Sequence, residues 1–219
     1  MKTIIVTGCS RGIGLAIVLL LVKSQEFNVL GTSRSGSCPI SDKNFTCYQL
    51  DISKSSSIAS FIEKIENKEI NYLINNAGIL IEKWDNSAIS IIQLKETFNV
   101  NLFGTVELAE AIIPRMVSKG HIVNVSSGWG AFSEPNLDEY QPHYKMSKAA
   151  LNMYTKTMSK RLISKNITVS SIDPGWTKTD MGGSNADREP EEAANDILEL
   201  IQSNVETGKF WHFGKVRGW

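Results

Sequence analysis

Short apolar, β-rich runs alternate with helix-spaced segments along almost the whole chain, and this alternation limits its possible folds more than any other feature. Strands are expected at Thr3–Thr7, Phe27–Ser33, Thr46–Leu50, Asn71–Ile74, His121–Val125 and Ile167–Ile172, with a short one near Lys209–Phe213. Between them fall helical patterns at Gly12–Ser24, Ser55–Asn67, Tyr144–Leu162 and Pro190–Ile201. A longer stretch carries Leu94, Phe98, Leu102, Val106 and Ala109 at helical spacing. Several strands are near-continuous apolar runs, as required of a parallel sheet covered on both faces. The expected architecture is a doubly wound α/β sandwich, a single domain over residues 1–219.

Charge and cysteine content narrow the function classes. Lys plus Arg and Asp plus Glu number 23 each, giving a formal net charge of zero. That offers no electrostatic footprint for nucleic acid or a membrane surface. Cys9, Cys38 and Cys47 are odd in number and match no common zinc spacing, so free thiols in a reducing compartment and no metal site are expected. The N-terminal apolar run meets Gly8 too early for a signal peptide, and the run from Ile13 to Val22 is too short to cross a bilayer. A cytoplasmic location follows as the expectation.

Thr7-Gly8-Cys9-Ser10-Arg11-Gly12-Ile13-Gly14 falls where the first strand gives way to the first helix. Glycines there permit a tight turn and close backbone approach to a pyrophosphate, while the helix N-terminus offers free amides and positive potential. The spacing departs from G-x-G-x-x-G, since three residues separate Gly8 from Gly12. Cys9 inside this loop reads as a small packing residue whose thiol could make binding oxidation-sensitive. After the second strand, where an NAD-selective site places an acid for the ribose hydroxyls, the chain has Ser33-Arg34. Arg34 together with Arg11 suits a 2′-phosphate, hence NADP. The bland alternative is two solvated surface arginines.

Three further motifs fall at strand ends or on helices. Tyr144 and Lys148 are four residues apart, on one helix face, where an ammonium is expected to lower the phenol pKa, though spacing alone favours a plain surface tyrosine–lysine pair. Ser126 and Ser127 follow the strand His121–Val125, and Asn75-Asn76-Ala77-Gly78 follows another, so both face the ligand crevice of a parallel sheet. Asn101 interrupts the long helical stretch; a water-holding amide and a buried structural amide both fit.

In this order, the glycine loop, Asn75 to Gly78, Asn101, Ser127, Tyr144 with Lys148, and Pro174-Gly175 resemble the short-chain dehydrogenase/reductase family, over nearly the whole chain. The resemblance implies a Rossmann-type fold and hydride transfer between a nicotinamide cofactor and a small carbonyl or alcohol. It implies Tyr144 as proton donor, Ser127 rather than Ser126 as hydrogen-bond donor to the carbonyl oxygen, and Lys148 on the nicotinamide ribose. Asn101 is implied to hold a water linking Lys148 to solvent. For the cofactor it implies Gly8, Ser10, Arg11, Gly12, Ile13 and Gly14 at the phosphates and Arg34 at the adenosine end. Asp51 and Ile52 are implied at the adenine, Asn76, Ala77 and Gly78 along the cofactor, and Pro174, Gly175 and Thr177 beside the carboxamide. Homodimers or homotetramers on the long helices are implied, though the carbonyl reductase branch includes monomers.

The chain departs from the family pattern in a brief segment after Asp180, a long gap between Ser127 and Tyr144, and an ending without the glycine-rich close of fatty-acid ketoreductases. Pro174 to Met181 and the C-terminus look more like the carbonyl reductase branch. Trp84, Trp129, Phe132 and Trp176 lie in neighbouring loops and suit an apolar pocket for an aromatic or aliphatic carbonyl. Two other readings stand beside this one: a catalytically silent NADPH sensor, and an NAD-linked dehydrogenase of a sugar or steroid alcohol.

Overall fold

The computed structural model describes residues 1–219. Eight strands, β1 (Lys2–Thr7), β2 (Phe27–Ser33), β3 (Phe45–Gln49), β4 (Ile70–Asn75), β5 (Met116–Val125), β6 (Thr168–Asp173), β7 (Lys209–His212) and β8 (Lys215–Arg217), form one sheet. Its order is β3-β2-β1-β4-β5-β6-β7-β8, parallel throughout except for the antiparallel pairing of β7 with β8. The helices are α1 (Gly12–Ser24), α2 (Ser55–Lys64), α3 (Ile91–Phe98), α4 (Thr105–Ile112), α5 (Pro142–Arg161) and α6 (Pro190–Gln202).

Strand side chains alternate between two cores, which is why the strands read as continuous apolar runs. Ile4, Val6 and Val29 pack with Ile17 and Leu21 of α1 and Ile197 and Ile201 of α6. Ile5, Leu30 and Leu73 point the other way, toward Phe61 of α2, Leu108 and Ile112 of α4, and Met158 of α5. The chain leaves β1 for β2 on one side and β4 lies on the other, so the crevice at the C-terminal ends of β1 and β4 is the topological switch point.

The expected long helix is broken into α3, a π-helical turn at Asn99–Gly104, and α4. Its buried stripe is not the expected one. Of the expected series Ala109 is buried, but Leu94, Phe98, Leu102 and Val106 are only half-buried, whereas Thr97, Asn101, Thr105, Leu108 and Ile112 face inward. The π turn rotates the face and brings Asn101 inside. Gly104 allows the approach, because a Cβ there would sit 2.0 Å from the Ile52 carbonyl oxygen. Strand β5 begins earlier than expected, at Met116, α5 begins at Pro142, and β8 had no counterpart in the sequence reading.

His121 lies at the centre of the sheet, with Nε2 2.9 Å from Ser170 Oγ. Burial depresses its pKa from 6.5 to about 4. As pH falls below 6.5 the unfolded chain takes up a proton that the native ring refuses until about 4. Stability therefore declines through that window, by about 3 kcal/mol at its lower end. Urea midpoints measured from neutral to acidic pH should fall more steeply in wild type than in His121→Gln; parallel slopes would contradict this.

Candidate active site

Helix α1 enters the crevice with its first turn open. Its N-cap residue, Arg11, makes no side-chain capping bond, and no acid occupies the first turn, so the amides of Gly12, Ile13 and Gly14 carry uncompensated positive potential. Gly8 and Gly12 adopt φ of 71° and 55°, in the left-handed region. A Cβ on Gly14 would lie 2.2 Å from the Gly8 carbonyl oxygen and 2.6 Å from Asn76 Nδ2. Asn76 Nδ2 itself donates to the carbonyls of Thr7 at 2.8 Å and Gly8 at 3.3 Å. Thr7 Oγ1 accepts the amides of Asn76 and Ala77, both at 2.9 Å. The β1 and β4 loops are thus one polar unit, and their bare amides and missing side chains fit the phosphates of a dinucleotide.

Beyond the C-terminal ends of β2 and β3, Arg34 borders a cleft of about 350 Å³ with Lys54 and Lys64. Arg11 does not join it, since its guanidinium pairs with Asp180 at 2.8 Å. The cation set beside β2 is therefore Arg34 with two lysines, not the expected arginine pair. Asp51 Oδ1 accepts from Ser53 Oγ at 2.6 Å and its other oxygen pairs with Lys54 at 3.1 Å. Ile52 is buried beneath, and Ser10 is exposed at the loop surface.

Beyond β5 and β6 the second half of the crevice converges on Tyr144, which is buried on α5. Lys148 Nζ lies 5.5 Å from its ring centroid and donates to the Val125 carbonyl at 2.8 Å. Ser127 Oγ accepts the Trp129 amide at 3.2 Å, capping a 3-10 turn at Gly128–Gly130, and its hydroxyl lies on the Tyr144 side of that turn. Ser126 Oγ is buried without a partner, so of the two serines Ser127 stands beside Tyr144. Across the crevice Gly175 has φ of 75°, and the Thr177 hydroxyl donates to the Gly175 carbonyl at 3.0 Å. The Pro174 carbonyl accepts from Arg188.

Electrostatics revise one expectation. Burial, and next the Asp173 carboxylate, push the Tyr144 phenol above its usual range, while the Ser127 hydroxyl pulls the other way. The expected lowering by Lys148 does not win, because a phenolate here would be desolvated beside an acid. Burial also brings the Lys148 ammonium down to about 8.

Asn101 is buried and bonded within the chain. Its Oδ1 accepts the Ile79 amide at 2.8 Å, and its Nδ2 donates to the Ile79 carbonyl at 2.8 Å and to Ser147 Oγ at 3.1 Å. The amide clamps the loop after Gly78 to α5. Trp84, Trp129 and Trp176 gather over the crevice, with Trp84 centroids 5.8 Å from Trp129 and 6.4 Å from Trp176, and Trp129 edge-on to Tyr144 at 6.2 Å. Phe132 is 91% exposed and lines nothing. Cys9 is a core residue whose Sγ lies 3.8 Å from that of Cys47, and burial pushes its thiol upward, toward inertness.

Sequence reasoning missed Asp173, Thr7 and Glu82. Asp173 Oδ2 accepts from Arg217 at 2.6 Å and lies 3.0 Å from His212 Nδ1, while Arg217 reaches on to Glu134 at 2.8 Å. The only signal for Asp173 was its place immediately before Pro174-Gly175.

Comparison with known proteins places this geometry. The family profile described as short chain dehydrogenase matches residues 2–190. Among sequence relatives, the 3-oxoacyl-acyl-carrier-protein reductase of Thermotoga maritima is 30% identical over 223 residues, covering 91% of this chain and 82% of that protein. Retinol dehydrogenase 8 of Bos taurus is 30% identical over 200 residues, 83% of this chain, which spans only 61% of that protein's length. Among solved structures, carbonyl reductase Sniffer of D. melanogaster superposes with TM-score 0.89 at 26% identity, covering 100% of both chains. An NADPH-bound carbonyl reductase from chicken fatty liver gives 0.88 at 29% identity, covering 100% of this chain and 99% of that one.

Gly14→Ala should weaken NADPH binding, followed by cofactor fluorescence, roughly tenfold or more, since the new methyl must displace the Gly8 carbonyl. Undiminished affinity would contradict the assignment of this turn to the phosphates.

Proposed function

The chain belongs to the short chain dehydrogenase family, and from that premise we propose that it is an NADPH-dependent reductase of small aromatic or aliphatic carbonyl compounds. One observation carries the reading: buried Tyr144 and Lys148 stand with half-buried Ser127 at the end of the crevice that begins at the glycine loop. The three free thiols suit a reducing compartment, and we place the activity in the cytoplasm.

When bound, NADPH supplies the hydride. Gly8, Gly12, Ile13 and Gly14 would hold its phosphates. Arg34, with Lys54 and Lys64, would hold the 2′-phosphate, and no acid competes at Ser33-Arg34. Pro174, Gly175 and Thr177 would border the nicotinamide. Tyr144 Oη gives its proton to the carbonyl oxygen, and its raised pKa keeps that proton available across the neutral range. Ser127 Oγ accepts the Trp129 amide and so keeps its own proton to donate to the same oxygen. Lys148 spends one N–H on Val125 and has two left for ribose hydroxyls. Its charge stabilises the phenolate that forms as Tyr144 gives up its proton. Trp84, Trp129 and Trp176 offer flat apolar walls to the substrate.

Cofactor consumption with a panel of aldehydes, ketones and quinones tests this directly. Tyr144→Phe should lower kcat at least about 100-fold, and Arg34→Ala should raise the KM for NADPH roughly tenfold without doing so for NADH. Equal use of NADH would overturn the cofactor assignment, and NADPH binding without turnover on any substrate would favour the silent sensor.

The pH dependence has a definite sign. Lys148 is charged below its depressed pKa of about 8 and loses that charge above it. For reduction, kcat/KM should be level at neutral pH and fall as pH rises through about 8, while Lys148→Arg should remove that limb. A profile in which Lys148→Arg leaves the alkaline limb in place would contradict the role given to Lys148.

A further inference from the structure

The first turn of α5 is capped in an unusual way. A helix leaves its first amides without intrahelical partners, and these are normally met by a local Ser, Thr, Asp or Asn. Pro142 opens α5 and has no N–H, while Gln141 before it makes no side-chain capping bond. The amides left over are those of His143 and Tyr144. Both donate to one carboxylate, that of Glu82, at 2.8 Å to Oε1 and 3.1 Å to Oε2. The cap thus arrives from 62 residues away and falls on the amide of the tyrosine at the centre of the crevice.

The side chains of Glu82 and His143 have no exposed surface. His143 Nε2 accepts the Ser90 amide at 2.9 Å, which leaves Nδ1 as the ring nitrogen that faces Glu82. Nδ1 lies 2.9 Å from Glu82 Oε1, close but off the line of a well-directed hydrogen bond. No lysine or arginine pairs with Glu82, so the buried anion is held by the helix N-terminus and these N–H groups. The same segment is latched again by Gln141, whose amide donates to the Asn86 carbonyl at 2.8 Å and whose Nε2 donates to the carbonyls of Lys83, at 3.1 Å, and Trp84.

We propose that Glu82 is a positioning residue for Tyr144: its buried carboxylate fixes where α5 starts, hence where the phenol stands. The inference rests on the reductase reading, with Tyr144 as proton donor. A carboxylate matches two parallel N–H groups, whereas the amide of Glu82→Gln presents one acceptor and one donor to the same pair.

Glu82→Gln should lower kcat about tenfold or more, with KM for the carbonyl and affinity for NADPH within about twofold of wild type. In a Tyr144→Phe background the same change should lower kcat no further, because Glu82 acts through that side chain. Amide exchange should quicken at His143 and Tyr144 while the sheet amides are unchanged. Should Glu82→Gln fail to fold, Glu82→Asp, which shortens the carboxylate, takes its place in the same comparisons. Wild-type kcat in the variant, a parallel loss of NADPH binding, or losses that multiply with Tyr144→Phe would overturn the proposal. If wild type reduces no carbonyl, the reductase reading fails by itself. Exchange at the two amides then decides whether Glu82 holds the helix turn, and unchanged exchange would overturn that too.

Discussion

Helix α1 reaches the end of β1 only because residue 14 has no side chain. The Gly8 carbonyl and the Asn76 amide occupy the space a Cβ would need. That contact sets the entry angle of α1 and aims its open first turn into the gap between β1 and β4. Thr7 makes the arrangement a single unit by accepting two amides from the β4 loop. Such a cradle leaves three amides poorly compensated in isolation, an arrangement suited to a phosphate.

The other half of the crevice follows a different rule, in which burial outweighs pairwise attraction. Tyr144 and Lys148 stand close, yet the phenol is raised and the ammonium lowered, each toward its neutral form. Desolvation acts on both, and Asp173 adds to it at the tyrosine. For a reductase this is the useful direction, because a proton donor must hold its proton until the oxyanion develops. Asp173 is itself tied to Arg217 and His212, so the C-terminal hairpin β7–β8 belongs to the electrostatics of the crevice as well as to the sheet edge.

Much of the fold was legible in the sequence, for physical reasons. Continuous apolar runs such as Ile4-Ile5-Val6 can be satisfied only by a sheet buried on both faces, and glycine at 8, 12 and 14 marks the turn where backbone must approach backbone. The interruption at Asn99–Gly104 was hidden because a π turn changes the phase of a helix without changing its composition. Strand β8 is three residues long and mostly exposed, so it carries no pattern. Within the site, Tyr144, Lys148 and Ser127 could be read only through the ordered set of motifs that resembles the family, since spacing alone fits a surface tyrosine–lysine pair and a turn serine. Glu82 and Asp173 could not, since each acts through contacts with residues far along the chain. The sign of the tyrosine shift was also out of reach, because it depends on how completely three dimensions exclude water.

The central claim, that this crevice brings a nicotinamide and a carbonyl together over Tyr144, is tested most directly by following the hydride itself. NADPH stereospecifically deuterated at either position of the nicotinamide C4 would be turned over with an aromatic aldehyde, and the alcohol examined by mass spectrometry. One deuterium on the carbinol carbon, from one of the two labelled cofactors only, is the predicted result, since a cofactor held against Gly14 and Gly175 presents a single face. Alcohol free of label from both cofactors, formed while NADPH is consumed, would contradict the account.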